Sequence, residues 1–105
     1  MENQKLQEMQ MLEQNLQNLL LQKQAFQMEL SETQSALKEI EKSGEEVFKI
    51  IGQLMIKTDK AKINQELLNK EKVFNLRIKT IEKQEASLTE QLEKTREEVM
   101  KSMKK

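Results

Sequence analysis

A short apolar island between two long polar arms constrains the fold of this chain more than any other feature. The island, Val47–Lys57, is rich in β-branched and large apolar side chains, and Gly52 divides it. The arms consist mostly of good helix formers, and the chain contains no proline that would interrupt a helix. This arrangement predicts a helical hairpin with a pair of strands at its connection.

The composition favours a coiled coil over a compact globule. Charged residues make up 34% of the 105 residues, and the aromatic residues are three Phe with no Trp or Tyr. Residues 1–42 carry four Lys and seven Glu, a net charge of −3, whereas residues 58–105 carry twelve Lys/Arg and nine Asp/Glu, a net charge of +3. Opposite charges on the two arms favour their pairing with each other.

The sequence offers no constellation for catalysis or for a cofactor. It contains no His and no Cys, so the usual metal and nucleophile sites cannot form, and it has no glycine-rich phosphate loop. Glutamates stand four residues from lysines, as Glu66 does from Lys70, which is typical of solvated helix faces. We therefore expect a protein that is not an enzyme and that binds no metal and no cofactor.

Three further absences bear on location and partners. No apolar run approaches the roughly 20 residues that cross a bilayer, and the N-terminus lacks a signal-peptide pattern. No basic run interleaved with aromatic residues suggests nucleic-acid binding. The expected location is the cytoplasm, with neither membrane nor nucleic acid as a partner.

The first arm carries an apolar stripe with the spacing of a supercoiled helix. Its members recur at intervals of three and four residues: Met9, Leu12, Leu16, Leu19, Lys23, Phe26, Leu30, Thr33, Leu37 and Ile40. Lys23 is expected to lay its stem along the seam while its amine reaches water. The helix should stop near residue 42, with Gly44 in a left-handed terminating conformation.

The island reads as a β-hairpin with Gly52-Gln53 as a two-residue type II′ turn, because that turn requires glycine first. The alternative is a buried helical segment. In the hairpin, we expect Phe48, Ile50, Leu54 and Ile56 on one face, and Val47, Lys49, Ile51, Met55 and Lys57 on the other. An isolated hairpin is marginal in water, so the island should pair with other chains.

The second arm also carries a stripe. Thr58 and Asp59 are candidates to cap a new helix. The stripe then follows Leu67, Phe74, Ile78, Ile81, Leu88, Leu92 and Val99, with Glu71 and Glu85 at seam positions and Thr95 and Ser102 beyond. Two such helices should pack antiparallel, which places Leu37 and Ile40 near Ile63 and Leu67 and brings the two chain ends together.

Methionines concentrate where the two ends should meet. Five of the seven are Met1, Met9, Met11, Met100 and Met103. Because methionine is flexible and polarisable, such a surface can repack against many partners. Alternatively, Met9 and Met100 are ordinary seam residues and Met1 is only the initiator.

At this point the residues resemble a known family. The island, read as Val-Phe-Lys-Ile-Ile-Gly-Gln-Leu-Met-Ile-Lys, is similar to the strand–glycine–strand motif of beta-type prefoldin subunits. The stretches 22–24 and 28–40 are similar to the first helix of those subunits, and 77–85 is similar to the second. A single glycine turn points to the beta type, since the alpha type has a longer linker with two hairpins.

The resemblance implies a hexameric chaperone, with two alpha and four beta subunits in archaea, built on a double β-barrel platform. It implies that coiled-coil tips hold non-native proteins without ATP and pass them to a group II chaperonin. The short ends of this chain fit an archaeal subunit. The Lys-rich end, Lys101, Lys104 and Lys105, either contacts a chaperonin or is simply solvated.

We therefore predict a mainly α protein with a single domain over 1–105. It consists of a coiled-coil helix over 1–42, a β-hairpin over 47–57 and a second helix over 59–105. The predicted client-binding residues are Leu6, Met9, Met11, Leu12, Val99, Met100 and Met103. The predicted oligomerisation residues are Val47, Phe48, Ile50, Ile51, Gly52, Leu54 and Ile56.

Two other functions fit the same sequence. One is a purely structural coiled-coil adaptor that dimerises through its island. The other is a helix on a membrane surface, for which the island is too short and the arms lack a basic face.

Overall fold

Two long helices are joined by an antiparallel β-hairpin, so the chain is mainly α, as predicted. The computed structural model describes residues 2–103. Helix α1 spans Glu2–Lys42, strand β1 Glu46–Ile51, strand β2 Leu54–Asp59 and helix α2 Lys60–Met103. Met1, Lys104 and Lys105, which also figure in the predictions above, lie outside the described residues. Contribution to an oligomeric barrel stays a prediction.

Contacts divide the chain into two compact units. The terminal unit comprises residues 1–25 and 78–105, as far as they are described, and the hairpin unit comprises Phe26–Arg77. Each unit takes one stretch from α1 and one from α2.

In the terminal unit the two helices run antiparallel. Lys5 forms an ion pair with Glu98, and Lys23 lies next to Glu82 and Glu85. The later residue of α1 thus contacts the earlier residues of α2, as antiparallel packing requires. The buried positions are on α2: Ile81, Leu92, Thr95 and Val99.

In the hairpin unit two of the three phenylalanines meet. The ring centroids of Phe26 and Phe74 are 6.1 Å apart with 36° between the ring planes. The Arg77 guanidinium carbon lies 5.5 Å from the centroid of the Phe26 ring, a distance that permits a cation–π interaction. Leu37, Ile40, Ile63 and Leu67 are each half-buried in the same unit.

The predicted seams are confirmed in both helices. Every residue of the α1 series from Met9 to Ile40 is buried or half-buried, and so is every residue of the α2 series, including Glu71 and Glu85. Thr33 and Thr95 are buried, and their hydroxyls donate to the carbonyls of Glu29 and Gln91 at 2.8 and 2.9 Å. Because each hydroxyl bonds within its own helix, a polar residue can occupy the seam without an unsatisfied donor.

Lys23 has partners on α2 that the sequence did not indicate. Its amine turns to α2 and lies 3.2 Å from Glu85 Oε1 and 3.7 Å from Glu82 Oε2. Glu85 Oε1 is buried and accepts no hydrogen bond of good geometry from the described residues, so the contact with Lys23 is an ion pair. The lysine and glutamate at seam positions of the two arms are therefore partners.

Helix α1 ends at Lys42, as predicted, but not by the predicted device. Gly44 does not have a positive φ. Instead, Ser43 donates to the Ile40 carbonyl twice, from its backbone nitrogen at 3.1 Å and from its hydroxyl at 2.8 Å. Lys60 Nζ donates to the Ser43 carbonyl at 2.9 Å, so the first residue of α2 also stabilises this end.

The start of α2 corrects the predicted cap in part. Thr58 lies inside β2 and pairs with Val47, so it cannot cap the helix. Asp59 pairs with Glu46 and directly precedes α2. Of the two candidates, only Asp59 therefore stands at the N-cap position.

The hairpin turn has the predicted form. Ile51 pairs with Leu54 across Gly52-Gln53, Gly52 has a φ of 61°, and Gln53 has a negative φ. A positive φ at the first central residue alone is the signature of a type II′ turn. The island is therefore a hairpin and not a buried helical segment.

The predicted faces of the hairpin were wrong for the second strand. Phe48 pairs with Lys57, and Ile50 pairs with Met55. Because paired residues of antiparallel strands share a face, Leu54 and Ile56 lie with Val47, Lys49 and Ile51 instead. Across a two-residue turn, each even-numbered residue of one strand pairs with an odd-numbered residue of the other. Even-numbered residues of β1 therefore share a face with odd-numbered residues of β2.

Candidate binding surfaces

The hairpin presents apolar side chains on both of its faces. One face carries Phe48, Ile50 and Met55, and the other carries Ile51, Leu54 and Ile56. All six are exposed, Ile50 by 69%, while Val47 is half-buried. The predicted oligomerisation residues, except Val47 and the turn glycine, thus form an uncovered surface, and Met55 joins them.

Two ion pairs lie at the base of this ribbon. Lys57 on β2 lies 3.0 Å from Glu46 on β1, and Lys49 on β1 lies 3.0 Å from Glu66 on α2. The Lys49 amine, as hydrogen-bond donor and positive charge, lowers the pKa of Glu66 below its ordinary value. Lys49 thereby ties one face of the hairpin to α2, while the apolar residues nearer the turn stay uncovered.

The predicted client-binding residues all lie in the terminal unit, but they differ in exposure. Leu6, Met11, Met100 and Met103 are exposed, Met103 by 74%. Met9 and Leu12 are half-buried in the seam. Val99 is 7% exposed and belongs to the core of this unit, so among these residues it packs and does not present a surface.

The exposed members lie on both flanks of the helix pair. The seam residues occupy heptad positions a and d. In that frame Leu6 and Met103 are at position e and Met100 is at position b, and positions e and b lie on the same flank of the helix pair. Met11 occupies a c position on the opposite flank. The ends of the helices thus offer apolar contact on two sides.

Six further apolar residues of the helices are exposed and were not predicted as site residues. They lie outside the seam series: Leu20, Leu21, Met28, Leu68, Val73 and Leu76. Met28 is 67% exposed, about as much as the terminal methionines, although it lies in the hairpin unit. Their positions in the heptad would have predicted their exposure, because residues outside positions a and d point away from the partner helix.

Other site types find no support in residues 2–103. No group of three or more acidic, His or Cys side chains in this range could hold a metal ion. No described helix is long and apolar enough to span a bilayer.

Comparison with known proteins identifies the family. A model of the prefoldin subunit family matches residues 3–105. A prefoldin subunit beta of Thermococcus onnurineus is 38% identical over 94 residues, which cover 88% of this chain and 81% of that protein. The chain belongs to the prefoldin beta subunit family. Prefoldin subunits are chaperone components, so the coarse class of the protein follows from its family.

Further relatives and solved structures agree. A prefoldin subunit beta of Pyrobaculum calidifontis is 39% identical over 92 residues, 86% of this chain and 74% of that protein. The crystal structure of the prefoldin beta subunit from Thermococcus strain KS-1 matches with a TM-score of 0.87 and 33% identity, covering 96% of this chain and 90% of that one. The beta2 subunit of the same strain, at 20% identity and a TM-score of 0.73 over 83% of this chain and 95% of that one, shows the shared fold.

Proposed function

We propose that this chain is a subunit of an ATP-independent chaperone that captures non-native proteins at the free ends of its helices. The observation that carries the proposal is the exposure of Leu6, Met11, Met100 and Met103 in the terminal unit. A non-native protein exposes apolar side chains of varied shape, and methionine can repack against them at low cost.

The hairpin supports the assembly that such a chaperone needs. Six exposed apolar side chains lie on a two-stranded ribbon with two unpaired edges. A ribbon of this kind is marginal alone and is stabilised by strands from other chains. We infer that it joins alpha-type subunits and other beta copies in a hetero-hexamer with a β-barrel platform.

Delivery to a group II chaperonin, a cytoplasmic location and the absence of a catalytic step complete the proposal. They rest on family membership together with the lack of catalytic constellations in the sequence. A purely structural adaptor would be a dimer that ignores an alpha-type partner, and mass measurement with and without that partner distinguishes the two functions.

The capture surface is tested by a methionine substitution with a matched control. In the chain assembled with an alpha-type partner, Met11→Gln, Met100→Gln and Met103→Gln together should weaken suppression of client aggregation, because each removes exposed apolar area. Each complete contact contributes roughly 1 kcal/mol to the free energy of client binding. If the three contacts are each only about half formed, their loss lowers the affinity for the client about tenfold.

Met28→Gln is the control, since it removes an equally exposed methionine from the hairpin unit. It should leave client holding unchanged. Equal holding by the triple variant and the unaltered assembly, with the hexamer mass preserved in both, would refute the proposed capture surface.

A further inference from the structure

An uncharged stretch of α1 borders an open groove in the terminal unit. Residues 14–22 read Gln-Asn-Leu-Gln-Asn-Leu-Leu-Leu-Gln and contain no charge, although 34% of the chain is charged. The groove is open to solvent and has a volume of about 460 Å³. Leu19 of α1 and Leu88 of α2 contribute its apolar lining.

The polar side chains that line the groove carry no charge and can both donate and accept hydrogen bonds. They are Asn15, Asn18, Gln22, Gln84 and Ser87. We call this site the amide groove because four of these five side chains are amides. All five occupy g or c positions, so the groove follows one flank of the helix pair. Each amide offers two N–H donors and a carbonyl acceptor, which are the groups that a peptide main chain requires.

The neutrality of the groove is local. Positions that flank a coiled-coil seam commonly carry charges that pair between helices. In the terminal unit the ion pairs between the helices involve Lys5, with Glu98, and Lys23, with Glu82 and Glu85, and both lysines occupy seam positions. Between these two lysines the groove residues supply amides and a hydroxyl instead, so a bound segment needs no countercharge.

We propose that the amide groove holds the main chain of an uncharged, extended segment of a non-native polypeptide. This proposal rests on the proposed chaperone function and adds a second kind of contact to it. Exposed methionines recognise apolar side chains, whereas the amides recognise the peptide groups of uncharged segments, whatever apolar side chains those segments carry. Peptide groups can exchange bonds to water for bonds to the amides at a small net gain per bond, which suits reversible holding.

The proposal is tested by charging the groove without changing its shape. The groove variant combines Asn15→Asp, Asn18→Asp and Gln22→Glu, which removes amide donors and introduces carboxylates of nearly equal size. The matched control combines Gln10→Glu, Gln17→Glu and Gln24→Glu, which makes the same change of charge at exposed b positions on the opposite flank of α1.

Both variants are assembled with an alpha-type partner and given citrate synthase unfolded in guanidinium chloride. We expect the dissociation rate of the client to rise about fivefold to tenfold for the groove variant, as for the loss of two or three hydrogen bonds. The control should release the client at the rate of the unaltered assembly. An equal effect of both variants, or no effect of either, would overturn the proposal.

Photo-crosslinking tests the location directly. Benzoylphenylalanine at Asn18 should crosslink to client segments that lack Asp, Glu, Lys and Arg, whereas at the neighbouring Gln17 it should not. The same probe at Met103 reports on the proposed capture surface. Crosslinking at 103 without crosslinking at 18 overturns the groove alone, and an assembly that holds no client at all overturns both proposals.

Discussion

The two glycines of the chain occupy positions with different demands. Gly52 has a φ of 61° at the turn, a conformation that costs an L-residue roughly 1–2 kcal/mol. Gly44 has no such φ, and a Cβ built there meets no atom within 4 Å. Sequence reasoning gave both glycines a left-handed conformation because it could not foresee that Ser43 closes the helix end.

Gly52→Val should destabilise the hairpin, because a β-branched residue cannot adopt the turn φ without strain. We expect a loss of roughly 1–2 kcal/mol in hairpin stability and loss of the hexamer, with most of the helical circular dichroism retained. Native mass spectrometry and far-ultraviolet spectra provide the measurement. Gly44→Ala is the control and should assemble normally, so a hexamer formed equally well by both variants would contradict the turn assignment.

The helices themselves were largely predictable from spacing. A stripe at intervals of three and four determined which residues of each arm are buried, because the period of the helix fixes which side chains share a face. The short connection between the arms predicted an approximate axial register, but neither it nor the stripe could show which charged side chains meet, as Lys23 and Glu85 do. For the same reason the amide groove, which needs residues from both helices, was not predicted.

The pair of Lys23 and Glu85 should set that register at some cost in stability. The Glu85 and Glu82 carboxylates raise the pKa of Lys23 above its ordinary value, against partial desolvation of the amine. Lys23→Met leaves a half-buried carboxylate without its cation and should lower the melting temperature. The double change Lys23→Leu with Glu85→Leu should raise it, because apolar seam residues replace a desolvated pair.

The stabilising contribution of Lys23 should depend on pH. A raised lysine pKa means that the contribution of Lys23 is complete below the ordinary value of about 10.4 and is lost as the pH rises through the raised value. The difference in melting temperature between the unaltered chain and Lys23→Met should therefore be constant from neutral pH to about pH 9 and shrink above it. Acidification should also shrink the difference, because it neutralises the Glu85 and Glu82 carboxylates. A difference that stayed unchanged as the pH rose well above the raised pKa of Lys23 would contradict the assignment.

At the scale of the whole molecule, residues 2–103 leave the hairpin uncovered, with exposed apolar residues on both of its faces. Ile50→Glu should shift the assembly towards smaller species, because it places a charge where partner strands are expected to pack. Partial burial of an unpaired carboxylate costs several kcal/mol, enough to dissociate a complex held by such ribbons. Gln53→Glu in the turn, which is exposed and outside the strands, should leave the mass unchanged. If Ile50→Glu assembled as well as Gln53→Glu, the hairpin would not be the oligomerisation element.

Sequence reasoning located the exposed apolar residues of the island and of the chain ends more readily than their detailed arrangement, and their roles stay predictions. The island and the methionine-rich ends stood out because apolar residues are unusual there in so polar a chain. The assignment of Val99 to the presenting surface failed because proximity to a terminus does not distinguish a seam position from an outward one. The faces of the hairpin failed for a different reason, since they depend on the length of the turn.

That two-residue turn also limits how the length of this hairpin could change during evolution. Inserting one residue into β2 would exchange every side chain beyond it between the two faces, so Ile56 would lie with Phe48 and Ile50. A chain whose neighbours pack on those faces could accept insertions in pairs, or as a bulge, but not singly. Chains descended from this one should therefore vary freely in the length of their arms while the spacing from Val47 to Lys57 stays fixed.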